Sequence, residues 1–217
     1  YENLQARNHQ AEWDQLLELP EQNPSFEVQW LEIENQDKVV FSASTLRHSF
    51  YHPHASKIPD GYHLLGSFMA NDYYPNQRKI VVKGNAPGVL IRTERYERVF
   101  RIQDSRGNDT GAIWRPIPPA GYVALGHVVT NQSGRSPSLS AVRCVRQDLT
   151  LETFFTEMEW SKNSKEGGAD EVRICAPWPT SAFPSGCFIA RSGTRDRPTT
   201  EFLAQSRQLK GISFQRL

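Results

Sequence analysis

The feature that most constrains how this chain folds is that it resembles itself. Ile58-Pro59-Asp60-Gly61-Tyr62-His63-Leu64-Leu65-Gly66-Ser67-Phe68 returns 60 residues later as Pro118-Pro119-Ala120-Gly121-Tyr122-Val123-Ala124-Leu125-Gly126-His127-Val128. Pro, Gly, Tyr, Leu and Gly coincide. A third, weaker copy, Phe183-Pro184-Ser185-Gly186-Cys187-Phe188-Ile189-Ala190-Arg191, lies a further 65 residues on and keeps the Pro-x-Gly turn into an apolar run. Proline pre-sets one turn residue and glycine supplies a positive φ, so each copy reads as a tight turn feeding a strand. Tyr62, Tyr122 and Trp114 read as core fillers. A sequence repeating at such a period is built from repeated supersecondary units.

The flanks extend the pattern. Phe26 to Ile33 alternates apolar and polar residues, the period of a half-buried strand. Val39 to Ser44, Arg98 to Ile102, Phe155 to Trp160 and Val172 to Cys175 read the same way, and closing strands are expected at Lys79 to Lys83, Ala141 to Val145 and Glu201 to Gln205. The chain is thus expected to be all-β, with three pseudo-repeats of about four antiparallel strands at about 26–90, 91–150 and 151–207. Three sheets with one apolar face each bury those faces most simply around a pseudo-threefold axis, so a β-prism-like fold is expected, with a β-sandwich as the alternative. Leu4, Ala11, Trp13, Leu16 and Leu17 have near-helical spacing before Pro20, which predicts a short helix and linker over residues 1–22, ahead of a single β domain over 23–217.

Charge and composition exclude some classes. Twenty-five Lys plus Arg face 24 Asp plus Glu, a net charge of +1, so no field favours nucleic acid. Apolar runs such as Val123-Ala124-Leu125 fall far short of the roughly 20 residues of a transmembrane helix, which leaves association with a membrane surface open. Cys144, Cys175 and Cys187 are an odd number without a Cys-x-x-Cys; one Cys175–Cys187 bridge or buried reduced thiols both fit. The start at Tyr1 without a leader suggests a segment of a longer chain whose upstream domain is missing.

Lys57 to Ser67, Trp114 to Thr130 and Pro137 to Thr150 together resemble the vacuolar protein sorting-associated protein sixty-two family of plants and fungi, over roughly residues 50 to 150. The Trp-x-Pro-x-Pro-Pro-x-Gly-Tyr-x-Ala-Leu-Gly core is also similar to the adaptor-binding repeats of large vacuolar-sorting lipid-transfer proteins. The resemblance implies a sorting connection and carries over no catalytic residue or cofactor.

No nucleophile elbow, phosphate loop, His-Glu-x-x-His or EF-hand occurs, so no enzyme is expected. His48, His52, His54 and His63 form the densest metal-like group, but Pro53 points to a loop of packed or solvated histidines rather than a metal site. Loops on a rigid β scaffold commonly carry recognition. Three equivalent loops therefore supply the candidate ligand-binding residues: Asn71, Asp72, Tyr73 and Tyr74; Asn131, Ser133 and Arg135; and Arg195 and Asp196. Tyr faces beside planar polar groups suit a sugar, while Arg195-Asp196-Arg197 suits a carboxylate or phosphate or forms a self-neutralising turn. The expectation is a secreted, non-enzymatic module binding a glycan or protein receptor within a larger toxin- or pore-former-like protein. The alternative is a cytoplasmic or vacuole-associated trafficking scaffold that binds adaptor peptides.

Overall fold

The computed structural model describes residues 25–41, 48–71, 77–103, 108–152, 160–162, 172–175, 187–192 and 207–209. The expected N-terminal helix lies outside them. In chain order the strands are β1 (Phe26–Ile33), β2 (Lys38–Phe41), β3 (His48–Tyr51), β4 (Phe68–Asn71), β5 (Gln77–Gly84), β6 (Leu90–Arg92), β7 (Arg95–Gln103) and β8 (Asp109–Ile117). There follow β9 (Tyr122–Val123), β10 (Val128–Thr130), β11 (Arg143–Arg146), β12 (Thr150–Glu152), β13 (Trp160–Lys162), β14 (Val172–Cys175), β15 (Ile189–Ser192) and β16 (Arg207–Leu209). The fold is all-β; among the described residues the helical elements are three 3-10 turns, Asn35–Asp37, Ala55–Lys57 and Gln147–Leu149. No helix there is long and apolar enough to cross a membrane.

The strands form small antiparallel sheets. Three have three strands joined as a hairpin plus a later strand, ordered β2-β3-β4, β7-β8-β10 and β13-β14-β15. The others pair the strand before each hairpin with a strand after it: β1 with β5, β6 with β11 (which also pairs β9), and β12 with β16. The third closing strand is Arg207–Leu209; the expected position, Glu201 to Gln205, is outside the described residues.

Local sequence explains the elements. In β1, Glu27, Gln29 and Glu32 are exposed while Phe26, Leu31 and Ile33 are buried, with Val28 and Trp30 between, so the buried phase shifts by one at Trp30-Leu31. Gly61 and Gly121 both sit at φ 80°. Tyr62 and Tyr122 donate their backbone N–H to the carbonyls of Pro59 and Pro119 at 3.0 and 3.1 Å. Both copies therefore make the turn that needs glycine at its third residue. The tyrosines are half-buried rather than core fillers: Tyr62 donates its hydroxyl to Glu27 at 3.1 Å, and Tyr122 donates to the Gly88 carbonyl at 2.7 Å. Trp114 is buried.

Two apolar clusters hold the sheets. One gathers Phe26, Leu31, Ile33, Leu64, Leu65, Phe68, Ile80, Val82, Leu125, Val142 and Val145. The second joins side chains from all three three-stranded sheets: Phe50, Met69, Phe100, Ile102, Ile113, Val129 and Ala190, with Phe188. Phe50 and Phe188 have ring centroids 5.2 Å apart.

Beside these clusters three segments cross. Ser67 donates its N–H to the His127 carbonyl at 2.8 Å and His127 donates to the Phe188 carbonyl at 2.9 Å. Phe68 is bridged to Cys187. A Cβ on Gly126 would lie 2.4 Å from the Cβ of Cys187, so no side chain fits there. Cys187, the residue after the third Pro-x-Gly, thus stands against Gly126, while Pro184 to Gly186 of that copy lie outside the described residues. Cys144 and Cys187 are buried thiols outside any disulfide, so the Cys175–Cys187 bridge is not formed.

Candidate ligand-binding cleft

The first turn-and-strand unit faces β10 and the loop that follows it across an open cleft of about 830 Å³. One wall is the segment from His52 to Leu64, the other comprises Val129 to Asn131 with Ser138, Ser140 and Ala141, and Gln36 to Val39 complete the lining. The bond from the Arg143 N–H to the Leu64 carbonyl, at 2.9 Å, ties one wall to the strand that follows the other.

The first wall is built by local chemistry. Pro53 keeps the backbone extended between His52 and His54, and the two imidazoles take different jobs. The Nδ1 of His54, an exposed residue, accepts from the Ser56 N–H at 3.3 Å and caps the 3-10 turn. His52 is turned inward, its Nδ1 2.9 Å from the Ser67 Oγ, and burial drops its pKa to about 4. His63 is held in backbone pairing with Val82, and burial, followed by the Arg143 charge, lowers its pKa. Among the described residues no metal-binding group of three or more such side chains converges.

Asp37 anchors the base. Its Oδ2 accepts from the Lys57 Nζ at 2.6 Å and from the Glu34 N–H at 2.8 Å, while its carbonyl accepts from the His52 N–H at 3.0 Å. Burial alone would pull Lys57 down, but its bonds to Asp37 and Glu34 outweigh that and leave its pKa raised. At the lip, Lys83 donates to Glu27 at 3.2 Å and lies 5.9 Å from the Tyr62 ring centroid. Hydrogen bonds from Lys83 and then Tyr62 lower the Glu27 pKa; burial and then Glu27 raise that of Tyr62.

On the second wall Ser138 and Ser140 pair their hydroxyls at 2.9 Å. The Thr130 Oγ1 accepts from the Trp114 Nε1 at 2.9 Å and donates to the Gln132 carbonyl at 2.7 Å. Asn131 is exposed and lines the cleft. Of its loop partners Arg135 is exposed, whereas Ser133 is 5% exposed and its carbonyl accepts from Arg98 at 2.8 Å, making it an anchor of the loop. Asn71 ends β4. Asp72, Tyr73, Tyr74, Arg195 and Asp196 lie outside the described residues.

The cleft therefore offers the exposed Asp60 carboxylate, the Asn131 amide, serine hydroxyls, the Tyr62 side chain and the His63 imidazole. Such a mix of donors and acceptors without strong net charge suits a polar, hydroxyl-rich ligand. Sequence reasoning missed it apart from Asn131, because its walls lie about 75 residues apart (His54 against Asn131, for example). The signal was the Pro-x-Gly-Tyr turn, read for its backbone and not for what it lines.

The family model of Vacuolar protein sorting-associated protein 62 (Vps62) matches residues 26–191. The chain belongs to the Vps62 family. The match takes in both walls of the cleft and the crossing at Gly66, Gly126 and Cys187. Among solved structures, this Vps62-family chain is similar to that titled "Crystal structure of GNIP1Aa from Chromobacterium piscinae", with a TM-score of 0.66 and 22% identity. The likeness covers 90% of this chain and 38% of GNIP1Aa, so the fold here spans well under half of that protein. No curated protein matches the chain.

Proposed function

We propose that this Vps62-family chain is a secreted, non-enzymatic recognition module of a larger, toxin- or pore-former-like protein, and that it binds a glycan or a receptor through the cleft. The observation that carries this reading is the cleft itself: an open depression of about 830 Å³ whose polar groups stand on the turn at Pro59 to Tyr62 and on the segments that follow β10 of the β scaffold. A place within a larger protein is supported by the 38% coverage of GNIP1Aa. The non-enzymatic reading is supported by the Ser67–His52 pair, which has the elements of a nucleophile and base but sits on a serine with 0% exposure that also accepts the Val129 N–H. We further read the sheets as a three-unit β-prism, supported by the recurring connectivity and by the apolar cluster shared among the three three-stranded sheets.

The test is a glycan array with the folded chain, an Asp60→Ala/Asn131→Ala double variant and a Tyr73→Ala/Tyr74→Ala double variant. Binding lost in the first variant places the ligand in the cleft, and loss in the second places it on the Asn71 to Asn76 loop. An empty array, followed by capture of extended peptides, favours the trafficking reading. That alternative draws on the two-stranded pairing of β1 with β5, a small antiparallel sheet of the kind that extended peptides join by strand addition.

A further inference from the structure

The crossing of the three segments holds a titratable group where a strand is fastened. His127 is 5% exposed. Its carbonyl accepts from the Ser67 N–H at 2.8 Å, its N–H donates to Phe188 at 2.9 Å, and its Nδ1 accepts from the Ala190 N–H at 3.1 Å. One residue thus fastens the start of β4 and the start of β15. Because Nδ1 is the acceptor, the ring proton belongs on Nε2 and the imidazole is neutral.

We propose that this crossing is an acid-sensitive latch: protonation of His127 turns its Nδ1 from acceptor to donor, sets it against the Ala190 N–H, and releases β15 from the other two segments. Without the proton, three hydrogen bonds close the crossing. With it, two donors face each other and a cation is buried.

The neighbours reinforce this. From β8, the Arg115 guanidinium is the charge that reaches His127; it is itself engaged by Glu97 of β7, which Arg95 also contacts. From the β15 side comes the Cys187 thiol. From the cleft wall comes a second, half-buried imidazole, His52, which meets Ser67, whose Oγ also accepts the Val129 N–H at 2.9 Å. His52 is backed by Asp37, which is paired with Lys57. Burial, followed by Arg115, lowers the pKa of His127 to about 3, and burial lowers that of His52 to about 4, so both stay neutral while the crossing is closed and take up protons once it opens. Opening uncovers the apolar cluster containing Phe188 and Ala190.

The experiment is amide hydrogen exchange of Ala190 in the whole chain between pH 7 and pH 4, corrected for intrinsic exchange. The latch requires the opening constant to rise below pH about 6, by about ten-fold per pH unit for each imidazole that protonates on opening. His127→Asn keeps an acceptor near the Nδ1 position but cannot become charged, so it is expected to remove about one ten-fold factor per pH unit. In the unmodified chain, the His127 ring resonances should stay at their neutral positions until Ala190 loses protection, a readout that holds even if the variant does not fold. A pH-independent opening constant, an unchanged slope in a folded His127→Asn, or a ring that titrates near pH 6.5 while Ala190 stays protected overturns the proposal.

Discussion

Gly66 and Gly126 pass so close that a Cβ built on Gly66 would stand 2.9 Å from the Cα of Gly126. Backbone meets backbone there, and the Cys187 Cβ, 3.0 Å from that built Cβ, closes the remaining space. Segments 60 residues apart in sequence can share this crossing only because neither carries a side chain.

Gly126→Ala puts a methyl 2.4 Å from the Cβ of Cys187 and is expected to destabilise the fold by about 3 kcal/mol, read from urea unfolding. Cys187→Gly in the same chain removes the clashing atom, so the double variant should recover part of the loss. A double variant no more stable than Gly126→Ala would show that the crossing is not the source of the cost.

Gly121 is a different case. At φ 80° with nothing within 4 Å of a built Cβ, it is constrained by backbone alone. Gly121→Ala should cost about 1 kcal/mol and Gly121→Asn less, because Asn tolerates the left-handed region. Equal stability of all three chains in thermal unfolding would contradict this.

Asp37→Ala leaves Lys57 without its buried partner and the Glu34 N–H without its acceptor, for an expected loss of about 2 kcal/mol. Glu34→Ala removes an exposed contact to the same Lys57 and should cost below about 1 kcal/mol. Reversal of that order in chemical denaturation would remove Asp37 as the anchor of the cleft.

Acid should weaken the global fold. The pKa values of His52 and His127 are lowered in the native state, from 6.5 to about 4 and about 3. The unfolded chain therefore binds more protons than the native one below pH 6.5. Their stabilising effect is complete above pH 6.5 and falls with pH by up to about 1.4 kcal/mol per unit for each histidine, until about pH 4 for His52 and about pH 3 for His127. A urea midpoint constant from pH 7 to pH 5 would refute it.

The local features were legible in the residues. Pro59-Asp60-Gly61-Tyr62 and Pro119-Ala120-Gly121-Tyr122 form the expected turns because proline and glycine restrict the few dihedrals that define a turn. Phe26–Ile33 and Val172–Cys175 are strands where alternation placed them. The family was legible too, since the motif blocks carry it directly. Less was visible of the candidate residues: Asn131 proved to line a cleft, while Ser133 proved to be buried in its loop.

Sequence by itself determined the all-β class, the turns and the family, because each is written in neighbouring residues through dihedral preference and the period of two. Tertiary structure decided what those elements meet. That His127 fastens Ala190, that Ser67 meets His52, and that Cys187 rather than a glycine completes the crossing with Gly66 and Gly126 are contacts across 15 to 121 residues of chain. They depend on packing, in which a side chain's role follows from the space and the hydrogen-bond partners left to it by segments that no local pattern encodes.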